Sequence, residues 1–400
     1  MTLRLVSFLG LLSMVAVAWA LSENRRKISP RIVAWGLGLQ LVIGLLVLRT
    51  PLKDGVFRAM RQIVEVLVES TLAGSRFVFG TLPDDQTVGA LVAFQVLPVI
   101  VFVSAISAVL HHLRVIQAIV GALSWGMRRT LKTSGAETLG AGLLIFVGIE
   151  AVAAIRVYLA GMTRSELATV MTTFLATIAG SVMVTYASFG AEPGHLLTAS
   201  LMSAPAAILM SKLIVPETGE PQTSGATPVH VQVDTRNLFD AIATGTHQGL
   251  MMALAVGAML LVFVALVALV DTMLQGVTGR TFAELVGYLF QPVAYVLGVP
   301  RSDVAAVGQL LGTKTVLNEF LAYLDFRTMV AEGTLTPRGA VIATYALCGF
   351  ANPGSIGVMI AGLDALVPER RAEITGLSVK TFIAGTLACL ATACVAGMLI

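Results

Sequence analysis

The sequence predicts an all-α polytopic membrane protein with eight transmembrane helices, two opposed re-entrant helical hairpins and one interfacial helix. Of its 400 residues, 56% are hydrophobic and 12% are charged, whereas soluble domains carry about 45–50% and about 25%. Apolar runs recur along the chain at about 20 residues, the length of a membrane span. We therefore expect a multi-pass protein surrounded by membrane lipid. It would lie in the cell membrane, which in a Gram-negative bacterium is the inner membrane.

Composition and motifs also exclude several functions. The formal net charge of +3 is small and is explained by cytoplasmic loops, so we expect no nucleic-acid partner. The five histidines are scattered, and no P-loop, GxGxxG segment or Ser-His-Asp order stands out. Cys348, Cys389 and Cys394 lie in apolar runs and predict neither a disulfide nor a zinc site. These features predict a protein that is not an enzyme and binds no metal unless it binds sodium.

The first part of the chain contains two spans, an amphipathic segment and a third span. Residues 3–21 and 33–48 are the first two spans, joined by a basic loop that places this side in the cytoplasm. Residues 51–79 combine apolar and charged positions at helical spacing, which predicts the interfacial helix. Residues 91–110 form the third span, and a basic loop up to residue 132 follows it.

Residues 139–159 predict the first re-entrant hairpin. The segment is apolar enough to cross the membrane, yet Gly148 and Glu150 lie at its middle. A carboxylate at mid-membrane costs at least ~2.5 kcal/mol on insertion scales. Positive charges on both flanks favour the same side of the membrane. Two half-length arms that turn near Gly148 satisfy both facts.

Two spans and a linker follow the first hairpin. Residues 167–189 cross the membrane with an interruption at Gly180-Ser181, and residues 196–213 cross next. Residues 216–232 are rich in Pro, Gly, Thr and Ser and predict a flexible linker. Residues 249–269 are the most hydrophobic span of the chain.

The second hairpin and the last two spans repeat this order. Residues 304–323 are apolar but contain Glu319 with polar neighbours, which predicts a second hairpin. Residues 340–363 then cross with an interruption at residues 349–355, and residues 379–400 cross last.

The order of hairpin, broken span and span therefore occurs twice, with the two hairpins entering from opposite faces. Such an inverted repeat points to a transporter with a site at the membrane midplane, because broken helices offer unpaired N–H and C=O groups. The predicted division is scaffold for residues 1–136, first transport repeat for 137–213, linker for 214–236, scaffold span and outer segment for 237–302, and second transport repeat for 303–400.

A long motif lies in the second hairpin. Residues 312–323 read Gly-Thr-Lys-Thr-Val-Leu-Asn-Glu-Phe-Leu-Ala-Tyr, which resembles the Gly-X-Lys-X-X-X-Asn-Glu-Phe signature of the concentrative nucleoside transporter family. The resemblance covers nearly the whole chain in order. Its other matching segments are residues 22–26, 94–98, 133–137, 176–182, 203–206, 348–352 and 368–371.

The resemblance implies a homotrimer that imports nucleosides with Na⁺ or H⁺ by an elevator-like movement of the hairpin-bearing domain. It implies that Glu319, Asn352 and Ser355 bind the ribose and that Phe350 borders the sugar. A carboxylate can accept from two vicinal hydroxyls, and an amide both donates and accepts. The predicted substrate-binding residues are Gly148, Glu150, Asn318, Glu319, Phe350, Asn352 and Ser355.

The tip of the first hairpin departs from the family pattern. Family members usually carry Gly-Gln-Thr-Glu there, whereas the chain has Gly148-Ile149-Glu150. Because the polar pair hydrogen-bonds the nucleobase in the family, its loss should remove roughly 1–3 kcal/mol of base discrimination. Glu150 is the predicted base-edge contact that remains, and the base preference stays open.

The predicted cation site is also altered. Leu144 stands where the family has an asparagine that binds sodium, while Ser181 and the carbonyls of Val147 and Val182 remain. The loss of one side-chain oxygen weakens a cation site that has few oxygen ligands. Coupling to Na⁺ and coupling to H⁺ through a hairpin glutamate are therefore both open.

Other interpretations of these residues are open as well. Lys314 either braces the second hairpin or meets the substrate, and the interruptions at glycine could be simple kinks. Two further functions fit the sequence. One is transport of another nucleoside-like polar solute, and the other is a membrane sensor that binds a nucleoside without concentrating it.

Overall fold

The chain folds into a bundle of helices. The computed structural model describes residues 2–84, 92–224 and 235–400, without the side chains of residues 149–151. Within these ranges every regular element is helical, and seven helical stretches are long and apolar enough to cross a membrane. These stretches are Leu3–Ala20, Pro30–Arg49, Val92–His112, Arg164–Ser188, Pro193–Ile214, Leu238–Thr278 and Pro368–Leu399.

The first two spans pack against helices from the far end of the chain. Helices α1 (Leu3–Ala20) and α2 (Pro30–Arg49) contact α10 (Pro193–Ile214) and α17 (Arg371–Leu399). The amphipathic segment is α3 (Leu52–Phe79), which buries one face as expected for its spacing. The buried residues of α3 are Phe57, Val64, Thr71 and Ser75.

The basic loop predicted after the third span is wrong in part, because most of it is helical. A π-helical turn (Val92–Val96) leads into α4 (Leu97–His112), and α5 (Val115–Leu131) follows directly. Arg128 and Arg129, which favoured a loop, occupy the last turn of α5. Positive charges stabilise that end of a helix because its carbonyls carry partial negative charge.

The first hairpin has one regular arm and one irregular arm. The regular arm is α6 (Gly135–Val147), and the chain reverses at Gly148, whose φ of 85° suits glycine. The second arm is a 3₁₀ stretch (Ile149–Ile155) followed by the single turn α7 (Arg156–Leu159). The two arms pack against each other.

The first broken span consists of α8 (Arg164–Ala176) and α9 (Gly180–Ser188). The interruption lies at residues 177–179, slightly earlier than predicted, because Gly180 and Ser181 already belong to α9. In the most apolar window of the stretch from α8 to α9, 89% of the residues are buried inside the protein, so this stretch belongs to the core of the bundle.

Helix α11 (Leu238–Thr278) is much longer than the predicted span of residues 249–269. It has 41 residues, which correspond to about 60 Å at 1.5 Å per residue. It packs against α4 at close range, because a Cβ atom at Gly249 would lie 2.8 Å from the Cβ of Ser104. Small residues at this contact let the two backbones approach.

The outer segment after α11 is also helical and supports the second hairpin. Helix α12 (Phe282–Val296) packs against α13 (Val304–Val316), the first arm of that hairpin. A Cβ atom at Gly308 would lie 2.9 Å from the carbonyl oxygen of Gly287. The absence of a side chain at Gly308 therefore lets this hairpin pack closely on α12.

The second hairpin and the last spans complete the second repeat. The second arm is α14 (Glu319–Ala331), after which the predicted seventh span, residues 340–363, is divided into α15 (Pro337–Leu347) and α16 (Pro353–Asp364). Each of these helices is too short to cross a membrane alone. Helix α17 packs against α1, α8, α10 and α15 and thus joins both repeats.

Candidate functional site

A cavity of about 400 Å³ lies between the two repeats and α11. Gly148 and Phe350 border it, and so do all the predicted ribose-binding residues. Six of the seven predicted substrate-binding residues therefore face one space. The described polar side chains on its wall are Tyr186, His247, Gln248, Asn318, Glu319, Asn352 and Ser355.

Glu319 is the centre of this polar group. It is the first residue of α14, and only 7% of its surface is exposed. Its Oε1 accepts a hydrogen bond from the Tyr186 hydroxyl at 2.8 Å, and its Oε2 accepts one from Asn352 Nδ2 at 2.7 Å. Because a carboxylate has about four lone-pair positions, Glu319 can still accept hydrogen bonds from a solute in the cavity.

Two asparagines hold the helix ends beside Glu319. Asn352 caps α16, since its Oδ1 accepts from the Ser355 N–H at 2.8 Å. This bond fixes the amide so that Nδ2 faces Glu319. Asn318 caps α14 in the same way, with its Oδ1 accepting from the Leu321 N–H at 2.9 Å. The Nδ2 of Asn318 is left to donate into the cavity.

Lys314 braces the second hairpin. Its side chain is 2% exposed and does not border the cavity. Its Nζ donates to the carbonyl oxygen of Ala346 at 2.7 Å, in the last turn of α15. A positive charge at the carboxyl end of a helix stabilises the unpaired carbonyls there. Of the two interpretations left open by the sequence, this contact favours the brace.

Aromatic side chains surround the polar group, and one of them was missed by the sequence analysis. The Phe350 ring lies 5.7 Å from the Phe174 ring, and Tyr186 stacks on Tyr323 at 4.1 Å. Tyr186 donates to Glu319, which is 133 positions away in the chain. The only sequence signal for this residue is a hydroxyl-bearing ring five positions after Ser181.

Family models match almost the whole chain. The model for the Na⁺ dependent nucleoside transporter C-terminus matches residues 195–397, and the one for the N-terminus matches residues 9–82. A third model, nucleoside recognition, matches residues 93–193 between them. The chain belongs to the Na⁺-dependent nucleoside transporter family. The family resemblance expected from the second hairpin is thus confirmed, and with it a multi-pass membrane location.

Relatives of this nucleoside transporter family member include bacterial and mammalian proteins. The uncharacterized transporter YutK of Bacillus subtilis (strain 168) is 41% identical, with 98% of each chain covered. Sodium/nucleoside cotransporter 1 of Rattus norvegicus is 39% identical over 99% of this chain. The chain spans 64% of the length of that rat protein, which is less than two thirds.

Solved structures of CNTnw share the fold of this nucleoside transporter family member. CNTnw in an inward-facing substrate-bound state aligns with a TM-score of 0.94 and 38% identity, covering 100% of both chains. A variant of CNTnw in an outward-facing state aligns with a TM-score of 0.93 and 37% identity, covering 99% of this chain and 98% of that one.

Fewer of the described polar groups at the cavity come from the first hairpin than from the second. Gly148 borders the cavity with its backbone, at φ 85° and ψ −154°. The side chain of Glu150 lies outside the described residues, and so does that of Ile149. The predicted base-edge contact of Glu150 therefore stays a prediction.

The residues predicted to bind the cation do not all face one cavity. Val147 and Ser181 border a smaller cavity of about 150 Å³, whereas Val182 borders the larger one. The side chain of Leu144 is buried with 1% exposed and offers no oxygen. The Ser181 hydroxyl lies 4.0 Å from the Met252 sulfur. These residues can supply one hydroxyl and backbone carbonyls to a sodium ion.

Proposed function

We propose that this protein is an ion-coupled secondary active transporter that imports nucleosides. The observation that carries this conclusion is the buried Glu319 carboxylate, which Tyr186 and Asn352 hold at the cavity wall. Vicinal ribose hydroxyls are donors suited to its remaining lone pairs. Asn318 and Ser355 add a free amide and a hydroxyl at the same end of the cavity.

The rest of the cavity suits the nucleobase. Its volume of about 400 Å³ falls within the range of small-molecule sites, about 300–1,000 Å³. The Phe350 ring borders the cavity beside the ribose-binding group, and methionines of α11 form the opposite wall. Aromatic rings and thioether groups both pack well on a flat heterocycle.

Contacts between helices support an elevator-like movement past α4 and α11. These two helices pack chiefly on each other, while α1 and α2 pack on α10 and α17. The α1–α2 loop is also tied to the transport repeats, because Glu23 accepts from Arg164 at 2.9 Å and Lys380 at 2.6 Å. We therefore place α1 and α2 with the moving part, whereas the sequence prediction grouped all of residues 1–136 with the scaffold.

We also propose a homotrimer assembled around the stationary helices. In the most apolar window of α11 only 11% of the residues are buried inside the protomer, against 78% in the corresponding window of the stretch that contains α17. Large apolar side chains such as Leu261 (72% exposed) and Leu289 (74% exposed) need lipid or a second copy to cover them. Cross-linking in membranes followed by mass measurement would show a trimer, and a monomeric species alone would contradict it.

We propose Na⁺ as the coupling ion, which fits the Na⁺-dependent family. The Ser181 hydroxyl and the carbonyls of Val147 and Val182 are the groups that would hold it. The alternative ion is H⁺, because Leu144 cannot replace the lost asparagine oxygen. In proteoliposomes, uptake driven by an imposed sodium gradient at constant pH would support Na⁺. Uptake driven only by a pH gradient would support H⁺.

Uptake of radiolabelled uridine and adenosine into the same proteoliposomes tests the function itself. We expect saturable accumulation above the external concentration, and loss of accumulation when an ionophore collapses the gradient. Nucleosides that lack the 2′ or 3′ hydroxyl should compete less well, because Glu319 then loses a donor. Equal competition by these analogues would contradict the placement of the ribose at Glu319.

A second candidate is transport of a nucleoside-like solute with a different base. The apolar Ile149 at the first hairpin favours it, since the family usually has polar residues there. Competition of uptake by base-modified nucleosides separates it from transport of ordinary nucleosides. A sensor is the third candidate, and it would bind nucleosides in detergent without accumulating them in proteoliposomes.

A further inference from the structure

One face of α11 forms the cavity wall opposite the second repeat. Residues at intervals of three or four positions border the cavity along this face, as expected for a helix. They include Gln248, Met252, Ala255, Met259 and Phe263. Among the α11 residues that border the cavity, only His247 and Gln248 carry polar side chains. The polar groups of this wall are therefore confined to one end.

Gln248 lies where the two cavities of the protein meet. It borders the larger cavity together with Gly148, and the smaller one together with Phe146 and Val147 of the first hairpin. Its side chain is exposed, and among the described residues its amide has no hydrogen-bond partner. The amide is thus free to bond with a solute at the end of the cavity near the first hairpin.

This inference rests on the proposed function, under which the sugar binds at the opposite end of the cavity. Asn318, Glu319, Asn352 and Ser355 all belong to the second repeat. Outside that repeat, the described polar side chains on the wall are Tyr186, His247 and Gln248, and the Tyr186 hydroxyl is already bonded to Glu319. Among the described residues, a base that points away from the sugar therefore meets few hydrogen-bonding groups.

We propose that Gln248 of α11 recognises the edge of the nucleobase and sets the base preference. A base edge without a hydrogen-bond partner in a closed site is unfavourable, because its donors and acceptors lose water. A glutamine amide both donates and accepts, so it can pair with oxo-bearing and amino-bearing bases. His247 borders only the larger cavity, whereas Gln248 also reaches the smaller one, where a larger base or a substituent can extend.

Substitutions of Gln248 distinguish hydrogen bonding from shape. Gln248→Met keeps the length of the side chain and removes both donor and acceptor. Gln248→Glu keeps only acceptors, which suits the amino group of cytidine and repels the carbonyl oxygens of uridine. Gln275→Met is the matched control, because Gln275 is an exposed residue of the same helix that does not border either cavity.

The experiment measures how much uridine, cytidine and 2′-deoxyuridine is needed to halve labelled adenosine uptake by the full-length protein in proteoliposomes. For Gln248→Met we expect the concentrations of uridine and cytidine that halve adenosine uptake to rise by about three- to tenfold, the effect of one lost hydrogen bond. The ratio of these concentrations for uridine and 2′-deoxyuridine should stay constant, because the second repeat binds the sugar under the proposed function. For Gln248→Glu the preference for cytidine over uridine should rise.

The outcomes separate this role from the proposed function. Wild-type protein that accumulates no nucleoside would overturn nucleoside transport itself. Wild-type uptake would overturn the role of Gln248 alone if the concentrations of uridine and cytidine that halve adenosine uptake were the same in Gln248→Met, Gln248→Glu and Gln275→Met. A change in the uridine to 2′-deoxyuridine ratio as large as the loss of competition by uridine would show a general distortion of the cavity. That result would also overturn the role of Gln248.

Discussion

The two repeats share one layout but differ in how their broken ends are satisfied. In the second repeat, Asn318 caps the helix that starts at the hairpin turn, Asn352 caps the helix that starts at the interruption, and Lys314 binds the carboxyl end of α15. In the first repeat, α9 starts after Ala179 without a side-chain cap. The second repeat is therefore preorganised by its own side chains, while the first leaves backbone groups for water, an ion or a solute.

This difference parallels where the chain matches the family pattern and where it departs from it. A fully satisfied polar network fails when one member is removed, because its partners stay buried without a hydrogen bond. The motif around Glu319 matches the family signature, whereas the first hairpin lacks the usual polar pair at Ile149 and the asparagine at Leu144. We infer that the second repeat fixes the common part of the substrate and that the first repeat, with α11, adjusts base and ion.

The largest expected effect comes from exchanging the two hairpin glutamates for glutamine. Glu319→Gln replaces an acceptor that has two donors, and we expect nucleoside uptake to fall by about 100-fold, since bonds to a charged group contribute about 1.5–3 kcal/mol each. Glu150→Gln should reduce uptake by less, about tenfold, for a single contact. Initial uptake rates in proteoliposomes measure both. Equal losses would remove the distinction between the repeats.

A smaller effect is expected at the brace of the second repeat. Lys314→Met removes the buried ammonium from the Ala346 carbonyl and should destabilise the protein by about 1–3 kcal/mol. Thermal unfolding in detergent, followed by fluorescence, measures the change. Lys132→Met is the control, because Lys132 is exposed beyond the end of α5. A midpoint equal to that of the control would show that Lys314 is not a brace.

The stacked tyrosines allow a matched pair of substitutions. Tyr186→Phe removes one donor from Glu319, and we expect the half-saturating nucleoside concentration to rise by about three- to tenfold. Tyr323→Phe keeps the stack and removes a hydroxyl that donates to Thr344 at 3.0 Å instead, so this concentration should change little. If both variants behave alike, stacking rather than the bond to Glu319 positions Tyr186.

The smallest effect concerns the loop that ties α1 and α2 to both repeats. Partial burial raises the pKa of Glu23, but hydrogen bonds from Arg164 and Lys380 outweigh it and hold the pKa below its ordinary value. Because the pKa is lower in the folded state, the contribution of Glu23 is present at neutral pH and disappears as the pH falls through the lowered pKa.

Glu23→Gln should therefore lower stability at pH 7 by less than about 1 kcal/mol, as for other partly exposed ion pairs. At acidic pH the variant and the wild type should unfold alike. Unfolding midpoints at several pH values measure this, with Glu332→Gln as an exposed control. A difference that persists at acidic pH would contradict an ionic role for Glu23.

Much of the fold and part of the site could be predicted from the sequence. Apolar runs of span length located the long helices, and the motif at residues 312–323 identified the family and Glu319. The ends of α11 were missed because they are less apolar than its middle. The helix α5 was missed because its basic last turn resembled a loop, and α12 was missed because nothing in its own residues marks it as a support for a hairpin.

The sequence by itself determined the membrane environment, the repeat, the caps at Asn318 and Asn352 and the position of an acid among apolar residues. These are local properties, set by the hydropathy of a run and by side chains within a few positions of each other. Only the tertiary structure decided that Tyr186 meets Glu319, that Lys314 binds Ala346 and that Gln248 lies between two cavities. Such contacts join residues far apart in the chain, and they form only when the helices pack.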